Sequence, residues 1–141
     1  MIVLLLRHAR AGKRWEWEGD DRLRPLDKKG KRQARGLVGL LEAYPVDRIL
    51  SSPYVRCVQT VEPLSEALGV PLEQAIELAE GQRRGDVLRL LQSRDASCPV
   101  LCTHGDIVLE LLGEEMRKAE TEVLDFDGRE LRPLERLPRP R

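Results

Sequence analysis

The chain has 141 residues, one domain's worth, with 24 basic and 24 acidic side chains and a formal net charge of zero. No global field therefore draws it to nucleic acid or to a membrane surface. Three cysteines without zinc-type spacing and only two histidines speak against a metal centre, and no stretch is long and apolar enough to cross a bilayer.

Charge balance conceals an asymmetry. Residues 1–35 carry 11 Lys/Arg against 5 Asp/Glu, and residues 36–141 carry 13 against 19. A basic first quarter favours an anionic ligand, although Lys28, Lys29, Lys31 and Arg32 read as the solvated face of a helix. Cys98 and Cys102 bracket a strand that separates their Cα atoms by roughly 13 Å, beyond disulfide reach. That sparse cysteine usage, and a start that enters a strand without a signal-peptide pattern, predict a cytoplasmic protein.

Residues 2–6, Ile-Val-Leu-Leu-Leu, form an apolar run with the length and β-branching of a buried strand. It ends abruptly in Arg7-His8. Residues 7–26 then read as a long polar loop holding Trp15 and Trp17, which either pack that loop onto the sheet or wall the site as a lid or base-stacking surface. Asp27 is placed to cap a helix carrying Ala34, Leu37, Val38 and Leu41, with Gly30, Gly36 and Gly39 weakening it.

Pro45 ends that helix, and Asp47–Ser51 predicts a second strand. Ser52 and Pro53 suit the cap and first position of the next helix, with Val55, Val58 and Leu64 facing inward and Pro63 expected to kink or split it. A weaker strand follows around Leu72–Ala75, then a loop with Glu77, Glu80 and Gly81. Val87, Leu90 and Leu91 mark a short helix, and Pro99–Thr103 a fourth strand ending at His104-Gly105. A last helix carries Val108, Leu111, Leu112 and Met116. Glu122–Phe126, an Asp127-Gly128 turn and Arg129–Leu134 predict a hairpin, and Pro138–Arg141 a frayed tail. Neither repeats nor linkers interrupt the chain, so 1–141 reads as one domain.

Strands alternating with helices predict an α/β three-layer sandwich: a mostly parallel sheet, helices on both faces, and an antiparallel hairpin at the edge. Such sheets bind ligands at the carboxyl ends of their strands. Arg7-His8, Ser51-Ser52 with Arg56, the Glu77/Glu80 loop and His104 all fall there. Each has an ordinary explanation when taken alone. Together they suit phosphoryl transfer. A neutral imidazole can attack phosphorus, arginine forks meet phosphate bidentately, and a carboxylic acid can protonate the leaving atom and then activate water. No metal or cofactor is called for.

Arg7-His8-Ala9, Ser51-Ser52-Pro53-Tyr54-Val55-Arg56-Cys57-Val58-Gln59-Thr60 and Thr103-His104-Gly105 resemble, in order, the signature of the histidine phosphatase (phosphoglycerate mutase-like) superfamily. The small size resembles its SixA-type phosphohistidine phosphatases. Arg7–Gly12, Trp17–Asp21 and Arg24–Asp27 also resemble histidine phosphatase domains fused behind Nudix hydrolases, although no Nudix motif is present. The resemblance implies His8 as the phosphorylated nucleophile, and Arg7, Arg56 and His104 as the phosphate pocket. Ser51 and Ser52 would shape the turn, with a hydroxyl (Ser51) in reach of phosphate. Ala9 stands where the family commonly has Gly. Leu78-Ala79-Glu80 matches one family pattern for the acid and Glu77 with Gly81 another; Glu80 is favoured. The implied activity is metal-independent hydrolysis of a phosphohistidine on a partner protein. A small phosphorylated metabolite such as a nucleotide or sugar phosphate is the alternative, and a phosphate-binding module without turnover is another. Neither nucleic acid nor membrane is expected as a partner.

Overall fold

The computed structural model describes residues 1–141. Six strands, β1 (Ile2–Arg7), β2 (Arg48–Ser51), β3 (Leu72–Gln74), β4 (Pro99–Thr103), β5 (Thr121–Phe126) and β6 (Leu131–Arg136), form one sheet in the order β3-β2-β4-β1-β5-β6. The β3-β2, β2-β4 and β4-β1 pairs are parallel. The β1-β5 and β5-β6 pairs are antiparallel.

The continuous apolar run of β1 follows from its central place. Val3 and Leu5 enter one core with Val87, Leu90 and Ile107, while Leu4 and Leu6 enter another with Leu37, Val61 and Leu64. With both faces covered, period-2 alternation disappears. Helices α1 (Lys28–Leu41) and α2 (Val55–Leu68) cover one face, and α3 (Arg84–Ser93) and α4 (Gly105–Leu112) the other. Each fully buried leucine contributes about 1.5–3 kcal/mol of apolar transfer.

Asp27 does cap α1, its Oδ1 accepting from the Gly30 N–H at 2.8 Å. Gly30 answers to a packing demand: a Cβ there would lie 1.8 Å from the Arg10 carbonyl oxygen. The first turn of α1 thus abuts the loop leaving β1.

Several local expectations are corrected. Helix α2 begins at Val55 with Tyr54 in the cap position and no side-chain cap; Ser52 lies two residues before it, its Oγ accepting from the Tyr54 N–H at 3.3 Å and lying 2.8 Å from His104 Nε2. Pro63 does not split α2, which runs from Val55 to Leu68; buried Cys57, Val61 and Leu64 hold it to the core on both sides of the proline. The final helix ends at Leu112, where Gly113 turns left-handed, so Met116 reaches the core from a loop. The hairpin turns over Asp127–Glu130, with the Asp127 carboxylate accepting from the N–H groups of Arg129 and Glu130. In the tail, Pro140 lies beside α1, where a Cβ at Gly36 would be 2.8 Å from its own, while Pro138, Arg139 and Arg141 are exposed and outside any helix or strand.

Candidate active site

Register brings the strand ends together. Arg7 lies opposite Thr103 and Ser51 opposite Cys102. Just beyond the strands, the His8 N–H donates to the Thr103 carbonyl (3.0 Å) and the Ser52 N–H to the Cys102 carbonyl (2.9 Å). His8, His104 and Ser52 therefore stand at one level, at the carboxyl edge of three adjacent parallel strands.

The His8 ring is buried, and its Nδ1 lies 2.8 Å from the Ala9 carbonyl oxygen. A carbonyl can only accept, so Nδ1 carries the hydrogen and the Nε2 lone pair of the neutral ring is free. Burial holds the His8 imidazole well below its ordinary pKa. The Ala9 bond opposes that shift, and His104, Arg56 and Arg7 add to it. The ring is neutral at pH 7, as a nucleophile requires. Ala9 is no obstacle: its methyl is buried with Ala11, Leu26, Ala34 and Ala119, and its N–H donates to Thr60 Oγ1 at 3.0 Å.

Arg7 lies against the first turn of α4. A Cβ on Gly105 would meet its guanidinium carbon at 3.0 Å, and its Nη1 donates to the Met116 carbonyl at 2.5 Å. Arg56 is fully buried; it donates to the Asp21 carbonyl (2.9 Å), the Asp21 carboxylate (3.1 Å) and Glu80 Oε1 (2.7 Å). Four buried side-chain polar atoms have no hydrogen-bond partner, and three are Arg7 Nε, Arg56 Nε and His104 Nδ1. Buried donors are almost always satisfied. Two arginine N–H groups and one ring nitrogen without partners in one place are groups that a bound anion would satisfy.

Glu80 lines the cleft, with Oε1 also 2.7 Å from Arg14 and 3.5 Å from His104 Nδ1. Its loop is tied down by Thr103 Oγ1 donating to the Leu78 carbonyl (2.6 Å) and by Asp106 accepting from the Gly81 N–H (2.8 Å). Glu77 is not among the cleft-lining residues. Ser51 is fully buried, its hydroxyl donating to the Ser52 carbonyl at 2.8 Å, and it too is absent from the cleft lining. Ser52, Arg56 and His104 are likewise outside the cleft lining, one layer beneath it, where the Ser52 hydroxyl lies 2.8 Å from His104 Nε2 and Arg56 bonds Glu80.

The cleft above His8 has a volume of about 520 Å³ and is rimmed by Lys13, Arg14, Arg24 and Lys118. Three of these four belong to the basic first quarter; Lys29 and Arg32 instead face a separate cleft beside the tail. Trp15 does not pack onto the sheet. It is 79% exposed, lines the cleft and lies 5.4 Å from Lys13 Nζ. Trp17 is partly exposed and donates to the Asp20 carbonyl. Sequence reasoning missed Asp21, the carboxylate that holds Arg56, Arg24 and Arg14. Its only signal was its place in the Trp17–Asp21 stretch. Lys118 lay outside the basic segment and gave none.

Residues 3–87 match the family model of the histidine phosphatase superfamily, branch 1. The chain belongs to the histidine phosphatase superfamily. Within it, 115 residues are 38% identical to the 8-oxo-(d)GTP phosphatase of Mycolicibacterium smegmatis, covering 78% of this chain but 36% of that protein; the chain thus spans about a third of that relative's length. Over 132 residues it is 28% identical to the phosphohistidine phosphatase SixA homolog of Haemophilus influenzae, covering 81% of this chain and 79% of that one. Its fold superposes on a solved structure of the protein histidine phosphatase SixA with a TM-score of 0.82 and 24% identity, over 97% and 96% of the two chains. The α/β sandwich with its antiparallel hairpin is the fold of this superfamily.

Proposed function

We propose that the chain is a metal-independent phosphohydrolase that forms a phosphohistidine on His8, most similar in use to SixA. The observation that carries this reading is the free Nε2 of a neutral, buried His8 beside unsatisfied donors on Arg7, Arg56 and His104. Nε2 attacks phosphorus while the bond to the leaving atom breaks, and the Glu80 carboxyl gives that atom a proton. Water then loses a proton to Glu80 as its oxygen attacks phosphorus; the N–P bond breaks, releasing phosphate and neutral His8. Arg7, Arg56 and His104 hold the equatorial oxygens, where charge is spread in the transition state.

A phosphohistidine on a partner protein suits a short chain with no large insertion over its cleft, and the Haemophilus influenzae relative, aligned over most of both chains, bears that name. A second reading, a nucleotide, is favoured by the exposed Trp15 face at the rim and by the name of the mycobacterial relative. The test is hydrolysis of an aryl phosphate in EDTA by wild type and His8→Ala, followed by a phosphohistidine protein and nucleoside phosphates as competing substrates. Turnover lost in the variant supports the His8 route. EDTA-sensitive turnover that survives in His8→Ala overturns it. Nucleotide turnover that Trp15→Ala selectively weakens selects the second reading.

A further inference from the structure

The loop over residues 113–120 joins α4 to β5 and is tied to the carboxyl end of β1. Within it Ala119 is the one residue other than glycine with a positive φ, 66°. Its N–H donates to the carbonyls of both Arg7 (3.0 Å) and His8 (3.1 Å), and its methyl is fully buried with those of Ala9 and Ala11. A left-handed alanine persists only where its surroundings over-determine it. Here the bonds that hold it come from the nucleophile's own strand end, and they set the preceding residue, Lys118, in the wall of the cleft.

Lys118 is half-buried, with Arg7, Arg24 and Arg10 as its cationic neighbours and Asp27 as its acidic one. Asp27 is already paired with Arg10 at 2.9 Å. Burial and the three arginines lower the Lys118 pKa. The other cations of the rim differ in the same respect. Arg14 pairs with Glu80 and Arg24 with Asp21, whereas Lys13 lies over the Trp15 ring with no carboxylate partner. Five cationic and two acidic side chains line the cleft. A phosphoryl group at His8 engages Arg7 and leaves both lysines without a counter-charge. The volume of about 520 Å³ is that of a small-molecule site, with room for a further group beside the one transferred. A half-buried cation among like charges is costly unless paired.

We propose that Lys118, together with Lys13, forms a second anion subsite, which binds the phosphate next to the transferred one in a diphosphate-linked substrate. Lys118 is then a specificity-determining residue that separates diphosphates from monophosphates. On transfer, His8 Nε2 bonds the terminal phosphorus as the bond to the bridging oxygen breaks. That oxygen leaves as the anion of the inner phosphate, and Lys118 meets the charge that develops there. Water then attacks phosphorus, its proton passing to the Glu80 carboxylate, and the N–P bond breaks. This rests on the phosphohydrolase reading above and deepens its nucleotide form.

The test uses methylphosphonate and methylenediphosphonate, which carry one and two phosphoryl groups and no cleavable P–O–P bond. Calorimetry in EDTA gives both affinities for wild type, Lys118→Met and Lys118→Arg, with circular dichroism as the check on folding. Wild type is expected to hold the diphosphonate at least tenfold more tightly, Lys118→Met to lose about tenfold of that preference, and Lys118→Arg to keep most of it. A ratio of two ligands within one variant is not moved by a general loss of folded protein. The ratio of kcat/KM for a nucleoside diphosphate to that for the monophosphate should fall by a similar factor in Lys118→Met. A wild type without the preference, or a Lys118→Met variant that retains it, overturns the proposal. Loss in Lys118→Met confined to a phosphohistidine protein gives the ammonium a carboxylate of that partner and overturns the diphosphate subsite. Absence of any aryl phosphate turnover by wild type overturns the phosphohydrolase reading instead, while the calorimetric ratio still decides the role of Lys118.

Discussion

The Nδ1 hydrogen of His8 is given to the carbonyl oxygen of Ala9, 2.8 Å away. One backbone carbonyl therefore fixes both the tautomer and the direction of the free lone pair. It does so without a carboxylate partner, whose charge would favour the imidazolium. Burial and three cationic or ring neighbours press the same way, toward the neutral ring.

That neutrality has a cost below neutral pH. His8 is held well below the ordinary histidine value of 6.5, so between its folded value and 6.5 the unfolded chain binds the extra proton and the folded one does not. Stability is then full above 6.5 and declines as pH falls through that window. The melting temperature is expected to fall from pH 7 to pH 5, and more steeply in wild type than in His8→Ala. Equal slopes would show that His8 is not the group responsible.

Glu80 sits within 2.7 Å of both Arg14 and Arg56. Glu80→Gln keeps its shape but cannot protonate a leaving alkoxide. Turnover of alkyl phosphates should drop about 10²–10⁴-fold, and that of an aryl phosphate with an acidic leaving phenol far less. Phosphate should bind the variant more tightly, because a negative charge beside the anion seat is gone. Equal loss on both substrates would remove Glu80 from the proton transfer.

Arg56 is fully buried between Asp21 and Glu80. Arg56→Met removes its bonds to two carboxylates that keep Arg14 and Arg24 as partners, and should cost about 1–3 kcal/mol of stability, read from urea midpoints. Arg56→Lys retains charge but not the fork; it should fold and lose roughly 10²–10³-fold in kcat.

At Gly30 the demand is steric. With a would-be Cβ 1.8 Å from the Arg10 carbonyl oxygen, Gly30→Ala must push α1 from the loop behind His8. A loss of about 1–3 kcal/mol is expected, despite alanine's better helix propensity. Gly39→Ala, with open space at its Cβ, should stabilise by about 0.4–1 kcal/mol. Urea denaturation of the two variants checks both signs.

Much of this protein is legible in the sequence because its strands end in chemistry. The apolar length of residues 2–6 and 99–103, and the abrupt change at Arg7-His8 and Thr103-His104, locate two strands and put a histidine at the carboxyl end of each from local pattern alone. The resemblance carried by Ser51–Thr60 implies Arg56, and the patterns around Leu78–Gly81 fit both Glu80 and Glu77. Tertiary structure alone decided that Glu80 and not Glu77 lines the cleft, and which serine reaches His104: one step of chain separates Ser51, whose hydroxyl donates to the Ser52 carbonyl, from Ser52, whose Oγ lies 2.8 Å from His104 Nε2. It also decided that Trp15 stays exposed at the rim, that Pro63 leaves its helix intact, and that Asp21 reaches Arg56 across 35 residues of chain. Periodicity records which face of an element is dry. Pairing between distant segments depends on how those faces pack, and no local stretch of sequence encodes it.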